Sequence, residues 1–189
     1  MDRNRANDGP FSILPVEDFT IFSGFSCLEP KDTDRDLDDF IRHDAAGHYQ
    51  DKIAVTYGLF YTGIQHPLGF ATLQNDAIIL GEEDSPPEEV KEYPYRSLPA
   101  VKIGRLGILY DIQRNALGSL FLALLKQIMC SANRTGCRFV TVDARRDRKN
   151  KIDATTFYKK NGFDLLPYRE KTSKYVPMYF DLARVHAII

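Results

Sequence analysis

Apolar positions along the chain change period several times, and each change marks an element. Leu37, Phe40, Ile41 and Ala45 recur at steps of three and four, the spacing of one helix face. Thr33 or Asp34, just ahead of them, supplies a helix cap, and this helix is expected to stop near Gly47. Residues 52–61 alternate instead, with Ile53, Val55, Tyr57, Leu59 and Tyr61 sharing one face of a strand. His66-Pro67 marks a turn. Residues 19–24, 68–73 and 77–80 read as further strand segments, and residues 101–110 as another. Leu117, Leu120, Phe121, Leu124, Leu125 and Ile128 then give the strongest helical pattern of the chain, closed by Gly136. Residues 137–143 are β-rich through Phe139, Val140, Thr141 and Val142. A helix from about Asp153 reaches Asn161 and stops at Gly162. Residues 163–166 and 174–182 are the last strands.

This order of strands and helices predicts a mixed α/β sheet with crossover helices. Residues 1–10 read as a flexible tail and residues 11–189 as a single domain. A loop insert at about 82–99 interrupts it, acidic and carrying Pro86, Pro87, Pro94 and Pro99. Loops of this length are lids, binding segments or mobile inserts. With 189 residues, 43% of them hydrophobic, the chain can bury a real core. A net charge of −1 removes any general attraction to nucleic acid or anionic membrane, so such affinity needs a local patch. No apolar run approaches the ~20 residues of a membrane helix, and the N-terminus lacks the apolar stretch of a signal peptide. Cys27, Cys130 and Cys137 form an odd, scattered set, which points to reduced thiols in a cytoplasm. No metal site is expected. His43 and His48 lie about 140° apart around a helix, and there is no CxxC pair.

Candidate chemistry begins where strand 101–110 ends. The stretch Asp111-Ile112-Gln113-Arg114-Asn115-Ala116-Leu117-Gly118-Ser119 joins a strand to the long helix through a tight loop. Unpaired amides and the positive end of the helix dipole make such a junction an anion site. It holds one glycine, and an ordinary strand-to-helix connection would look similar. Downstream, Phe157-Tyr158-Lys159-Lys160-Asn161-Gly162-Phe163 sets a tyrosine inside a short helix that ends at glycine. Aromatic residues in such places commonly pack in a core.

In order, spacing and element type, the two stretches together resemble the GNAT superfamily of N-acetyltransferases. Its phosphate loop reads Q/R-x-x-G-x-G/A before a long amphipathic helix, matched here by Gln113 to Gly118. Its later helix reads F-Y-x-x-x-G-F, matched by Phe157 to Phe163. The resemblance spans residues 19–181 and is similar to the branch containing aminoacyl-tRNA-acetylating toxins. The counterparts there are Phe25-Ser26-Cys27, Leu37-Asp38-Asp39-Phe40-Ile41, Gly69-Phe70-Ala71-Thr72-Leu73 and Arg105-Leu106-Gly107-Ile108. Two positions depart from the pattern. Ala116 stands at the central glycine and Arg114 where a further glycine is common, and both restrict the backbone. Arg114 either offsets this with a charge-assisted phosphate contact or is a solvated loop charge.

The resemblance implies a GNAT-like mixed, mostly antiparallel sheet, flanked by helices and splayed near the central strands. It implies acetyl-CoA as co-substrate. The pyrophosphate would lie on Gln113, Arg114, Asn115, Ala116, Leu117, Gly118 and Ser119. The pantetheine arm would run along Leu106, Gly107 and Ile108 as an added strand, loosened by a bulge at Gly107. The Ile108 N–H would stabilise the oxyanion as a neutral primary amine attacks the thioester directly. Tyr158 is the implied general acid for the departing thiolate. Its ordinary pKa of about 10 against about 8.5 for a thiol makes full transfer uphill unless the site lowers the tyrosine pKa, the alternative being that Tyr158 only hydrogen-bonds the sulfur. Glu82, Glu83 and Asp143 are the conceivable bases.

The acceptor stays open at the level of sequence. Arg145, Arg146, Arg148, Lys149 and Lys151 precede the Tyr158 helix, and Lys159 and Lys160 lie on it. This cluster suits the phosphates of a tRNA, or is a solvated loop balanced by Asp147 and Asp153. The toxin branch implies an antitoxin partner of the ribbon-helix-helix kind, and related proteins imply a homodimer. A small-molecule or protein amine, or a non-catalytic CoA-binding module, are the alternatives.

Overall fold

A computed structural model describes residues 6–29, 35–131, 133, 135–147, 152–166 and 174–185. The described residues form strands β1 (Ala6–Asp8), β2 (Phe11–Pro15), β3 (Val55–Tyr61), β4 (Gly69–Ile79), β5 (Ser97–Ile108), β6 (Phe139–Asp147), β7 (Ile152–Asp153), β8 (Asp164–Leu165) and β9 (Tyr175–Asp181). The helices are α1 (Asp36–Asp39), α2 (Ala45–Gln50), α3 (Leu117–Ser131) and α4 (Thr155–Lys160), with a π-helical stretch, Phe40–Asp44, joining α1 to α2. The strand order is β1-β2-β3-β4-β5-β6-β9-β8, with β7 paired to β6. Sheet and flanking helices make a mixed α/β fold, and the registers of β1–β2, β2–β3, β3–β4, β6–β9 and β8–β9 are all antiparallel.

The chain divides into two compact units. The first comprises residues 1–74, 103–133 and 187–189, and the second residues 75–102 and 134–186. Strands β4 and β5 run covalently from one into the other. In the first unit, Phe11 pairs with Tyr61 and Val55 with Leu73. Val16, Phe22, Phe25, Cys27, Phe40, Ile41, Ala45 and Phe70 form its core. Helix α3 buries Phe121, Leu122, Leu124, Leu125, Ile128 and Met129 and lies against β1 and β2. That seam accounts for the three-four spacing seen in the sequence. In the second unit, Val142 of β6 pairs with Met178 of β9. Ile78, Leu80, Val90, Leu98, Ala100, Phe139 and Leu166 pack together there.

Several expectations change in the structure. The tail expected over residues 1–10 already contains β1, whose Ala6 pairs with Ile13. A three-residue strand carries too little pattern to be read. Residues 19–24 are not a strand: Phe19–Phe22 is a 3-10 turn capped by Asp18, whose carboxylate accepts the Thr20 N–H at 2.9 Å. The cap expected at Thr33 or Asp34 lies outside the described residues. The helical run continues past Gly47 to Gln50, since a glycine inside a packed helix costs only about 1 kcal/mol. In β3 the expected apolar face is fully buried only at Leu59. Val55 and Tyr61 are exposed while Thr56 and Gly58 are buried, and Thr56 satisfies its hydroxyl against Thr72 at 3.1 Å. The segments 68–73 and 77–80 are one strand, β4. The loop expected to reach residue 99 ends sooner because β5 starts at Ser97, and its Val90 is buried. Helix α3 ends at Ser131, before Gly136. Arg145 and Arg146, expected in a loop, extend β6, where Arg145 pairs with Tyr175.

Candidate acetyl-CoA cradle and transfer residues

The candidate cradle belongs wholly to the first unit. After β5, Leu109 leads into a single 3-10 turn, Tyr110–Ile112, and Gln113 is extended. The next residues alternate in hand: Arg114 sits at φ 64° and Ala116 at φ 60°, and α3 starts at Leu117. Alternation of this kind turns successive N–H groups toward one side and makes an anion-binding concavity. Among the described residues, the amides of Arg114, Asn115, Ala116, Leu117 and Gly118 donate to no carbonyl. Ser119 is already satisfied, its N–H donating to Ala116 O at 3.0 Å. Arg114, Asn115 and Ala116 are exposed. The loop therefore presents a run of free donors at the positive end of a fifteen-residue helix, which suits a diphosphate.

Gln113 does something different from its neighbours. Its N–H donates to Tyr110 O at 3.1 Å. Its carboxamide Nε2 donates to Cys27 O at 2.7 Å and to Ile108 O at 2.9 Å. With its donors turned inward, Gln113 braces the loop.

The motif glycines of β4 and β5 meet. A Cβ on Gly69 would stand 2.7 Å from Gly107 O, and one on Gly107 would stand 2.8 Å from the Phe70 ring. Both positions exclude a side chain because the backbones and that ring approach so closely. Leu106 is partly exposed and Ile108 buried. The ladder continues past them, with the Leu109 N–H donating to Leu68 O at 2.9 Å.

Beside the cradle lies a cluster that sequence reasoning missed. Asp38 of α1 is 0% exposed. Its carboxylate accepts the Ser26 hydroxyl at 2.5 Å, the Cys27 N–H at 2.8 Å and the Cys27 thiol at 3.1 Å. Arg42 and Arg35 approach it at 3.8 and 3.9 Å, and Arg42 also donates to Phe25 O. Burial works against the charge, yet the Ser26 and Cys27 hydrogen bonds and the Arg42 charge hold Asp38 below the usual carboxylate range. Burial, reinforced by Asp38, pushes the Cys27 thiol up, so Cys27 is a hydrogen-bond donor here and no nucleophile. Phe25-Ser26-Cys27 and Leu37 to Ile41 are two separate motifs in the sequence. Nothing in their spacing said that Asp38 would reach back to Ser26 and Cys27.

The remaining candidates belong to the second unit. Tyr158 of α4 is 7% exposed and meets the rings of Phe157 and Phe163 edge-on at 5.1 and 5.3 Å. Burial raises its phenol above the ordinary tyrosine value. Asp143 of β6 is ion-paired with Lys102 of β5, so its carboxylate is engaged. Glu82 and Glu83 are exposed. Arg145 pairs with Asp147 at 3.9 Å, the Arg146 Nε is buried without an acceptor among the described residues, and Lys159 and Lys160 are exposed. Arg148, Lys149 and Lys151 lie outside the described residues.

Comparison of the sequence with family models finds no match, and comparison with curated proteins finds none either. Comparison with solved structures does find likenesses. AtaT complexed with acetyl-methionyl-tRNAfMet is 24% identical with a TM-score of 0.69, over 93% of this chain and 96% of that one. A tyrosine-to-phenylalanine mutant of KacT is 20% identical with a TM-score of 0.67, over 93% and 96%. A mutant AtaT toxin bound to acetyl-CoA and to the C-terminus of the antitoxin AtaR is 20% identical with a TM-score of 0.66, over 93% and 95%. At these identities the likeness shows the fold. The expected GNAT-like architecture, a mostly antiparallel sheet flanked by helices, is the one these proteins share with this chain.

Proposed function

We propose that this chain is an N-acetyltransferase that takes its acetyl group from acetyl-CoA and gives it to the α-amine of an aminoacyl-tRNA. The observation that carries the reading is the run of free amides from Arg114 to Gly118 ahead of α3. Each unpaired N–H is a donor whose desolvation a diphosphate offsets, and the fixed loop needs no reorganisation to bind it. Arg114 adds a charge at the exposed rim. Leu106, Gly107 and Ile108 would carry the pantetheine arm, and the Ile108 N–H would meet the oxygen that becomes anionic.

In this chemistry the amine nitrogen attacks the thioester carbonyl, the tetrahedral intermediate collapses and the C–S bond breaks. The amine gives its proton to water, and the CoA leaves as a thiolate, hydrogen-bonded as it forms, that takes its proton from water. The resemblance assigns the donor toward that sulfur to Tyr158, whose phenol burial keeps neutral. Its raised pKa makes it a hydrogen-bond donor that follows charge onto sulfur, because full transfer to a free thiolate is more uphill than for an ordinary tyrosine. On the amine side, Asp143 is tied to Lys102 and Glu82 and Glu83 are exposed. With the carboxylates expected as bases engaged or solvated, an acceptor that needs little deprotonation is favoured. An α-amine, with pKa about 7.7–8.0, meets that condition and a lysine-like amine, about 10.4, does not.

The similar structures favour the same acceptor, since one of them holds acetyl-methionyl-tRNAfMet and another holds acetyl-CoA and an antitoxin segment. Arg145, Arg146, Lys159 and Lys160 would contact phosphates. An antitoxin that blocks the site, a homodimer and a cytoplasmic location complete the reading. The test is mass spectrometry of total aminoacyl-tRNA and a panel of small amines after incubation with acetyl-CoA. Acetylated aminoacyl-tRNA is the expected product. Acetylated polyamine or peptide alone would replace the acceptor. CoA binding without thiol release on any amine would make the chain a non-catalytic CoA-binding module.

A further inference from the structure

Asp38 lies on α1, far in sequence from the loop that would grip acetyl-CoA, yet its bonds lead there. We infer that Asp38 is a positioning residue for the acetyl-CoA cradle, acting through Ser26, Cys27 and Gln113. This rests on the acetyl-CoA reading of the 114–118 loop.

The connection runs through bonds within the first unit. Asp38 fixes the segment Ser26–Cys27 from one side through the Ser26 hydroxyl, the Cys27 N–H and the Cys27 thiol. Arg42 pins the preceding carbonyl, that of Phe25. From the other side, the same segment offers its two carbonyls to the cradle. Ser26 O accepts the Tyr110 N–H at 2.9 Å, and Cys27 O accepts Gln113 Nε2 at 2.7 Å. Residues 25–27 are thus a bracket between α1 and the base of the loop. Gln113 is the last residue before the left-handed Arg114, so its anchoring sets where the alternation starts and where the free amides point.

Such a device is needed here because Arg114 and Ala116 adopt left-handed backbone without being glycine. Each costs roughly 1–2 kcal/mol and persists only where the surroundings over-determine it. A fully buried carboxylate with several donors is a stiff anchor, since charged hydrogen bonds are about twice as strong as neutral ones. If the bracket slackens, the loop is free to relax toward right-handed backbone, and the amides no longer converge.

The test uses the full chain. CoA binding is measured by titration calorimetry for the wild type, Asp38→Asn, Gln113→Met and the double variant, with melting temperatures alongside. Each single change is expected to raise the Kd for CoA about tenfold, and the double change no more than the larger single one, because the residues act on one path. Asp38→Asn should raise KM for acetyl-CoA and leave kcat within about twofold. Ile78→Val, a core change in the second unit, supplies a variant of reduced melting temperature whose Kd should not move. Should Asp38→Asn fail to fold, Ser26→Ala removes one bond of the bracket and should still weaken CoA about threefold. Unchanged CoA affinity in a folded Asp38 or Ser26 variant overturns the inference, as do losses that multiply to about a hundredfold in the double variant. A wild type that binds no CoA overturns the acetyl-CoA reading itself.

Discussion

Ala116 holds a backbone conformation that glycine adopts freely and alanine does not, at φ 60°. Replacing it with glycine removes that steric cost, and Ala116→Gly is expected to raise unfolding free energy by about 1 kcal/mol. CoA binding should persist, because the amide and its direction are kept. Urea unfolding with a parallel CoA titration checks both. A fall in stability would mean that the flexibility glycine adds to the unfolded chain outweighs the relief. Tyr158 carries the second prediction at this scale. Tyr158→Phe should cut turnover more than about tenfold while the Kd for CoA stays within about twofold, as expected of a group needed after binding. Because burial raises its pKa, the phenol stays protonated below its ordinary value of about 10. The turnover–pH profile should therefore show no falling limb from Tyr158 up to that pH. Equal single-turnover rates for the two proteins would remove Tyr158 as the donor toward the sulfur.

Helix α3 does two jobs with one amphipathic pattern. Its first turn follows the 114–118 loop proposed to hold a diphosphate, and its buried side fills the first unit. Lys126 is an exception on that side, 8% exposed, and burial lowers its pKa to about 8. In the unfolded chain a lysine titrates near 10.4. Between pH about 8 and about 10.4 the unfolded state holds more proton than the folded one, so stability rises with pH across that window. Below about 8 the ammonium is present in both states and the full desolvation cost is felt. Lys126→Met removes the charge and keeps the linear stem. It should abolish this share of the pH dependence. Thermal melts of both proteins at pH 7, 9 and 10 measure it. An equal slope in the two proteins would show that Lys126 titrates as an exposed lysine.

At the scale of the molecule, charge decides how a nucleic acid would be held. The net charge of −1 gives no general attraction, so affinity for tRNA must come from a few local cations. Arg145 and Arg146 on β6 and Lys159 and Lys160 on α4 are the described candidates, and they are partly countered by Asp147 and Asp153. Replacing Arg145 and Arg146 with alanine should weaken aminoacyl-tRNA binding. It should also flatten the dependence of log Kd on log salt by about one for every phosphate left without its cation. Acetylation of a small α-amine should be little affected. Filter binding across a salt series is the measurement, and an unchanged slope would place the tRNA elsewhere. Acetyl-CoA at a hundredfold excess over its Kd should add about 2.7 kcal/mol to stability, visible as a shift in melting temperature.

Residue order alone carried the elements with long, regular patterns. The three-four spacing of Leu117 to Ile128 marked α3, and the strands near residues 55–61, 101–108 and 139–143 were legible from their runs of β-forming residues. Local order also marked the candidate anion loop, since a strand, a tight loop and a helix start are contiguous, but the left-handed backbone at Arg114 and Ala116 that frees its amides was not legible. The chain's order did not carry β1, which is too short to show a period, or the buried face of β3, where a threonine pair satisfies itself across strands. It did not show that Gln113 turns inward or that Asp38 reaches Ser26 and Cys27, because these are bonds between distant segments. Their partners are chosen by how the chain packs, and a carboxylate's role is set by which donors packing brings to it.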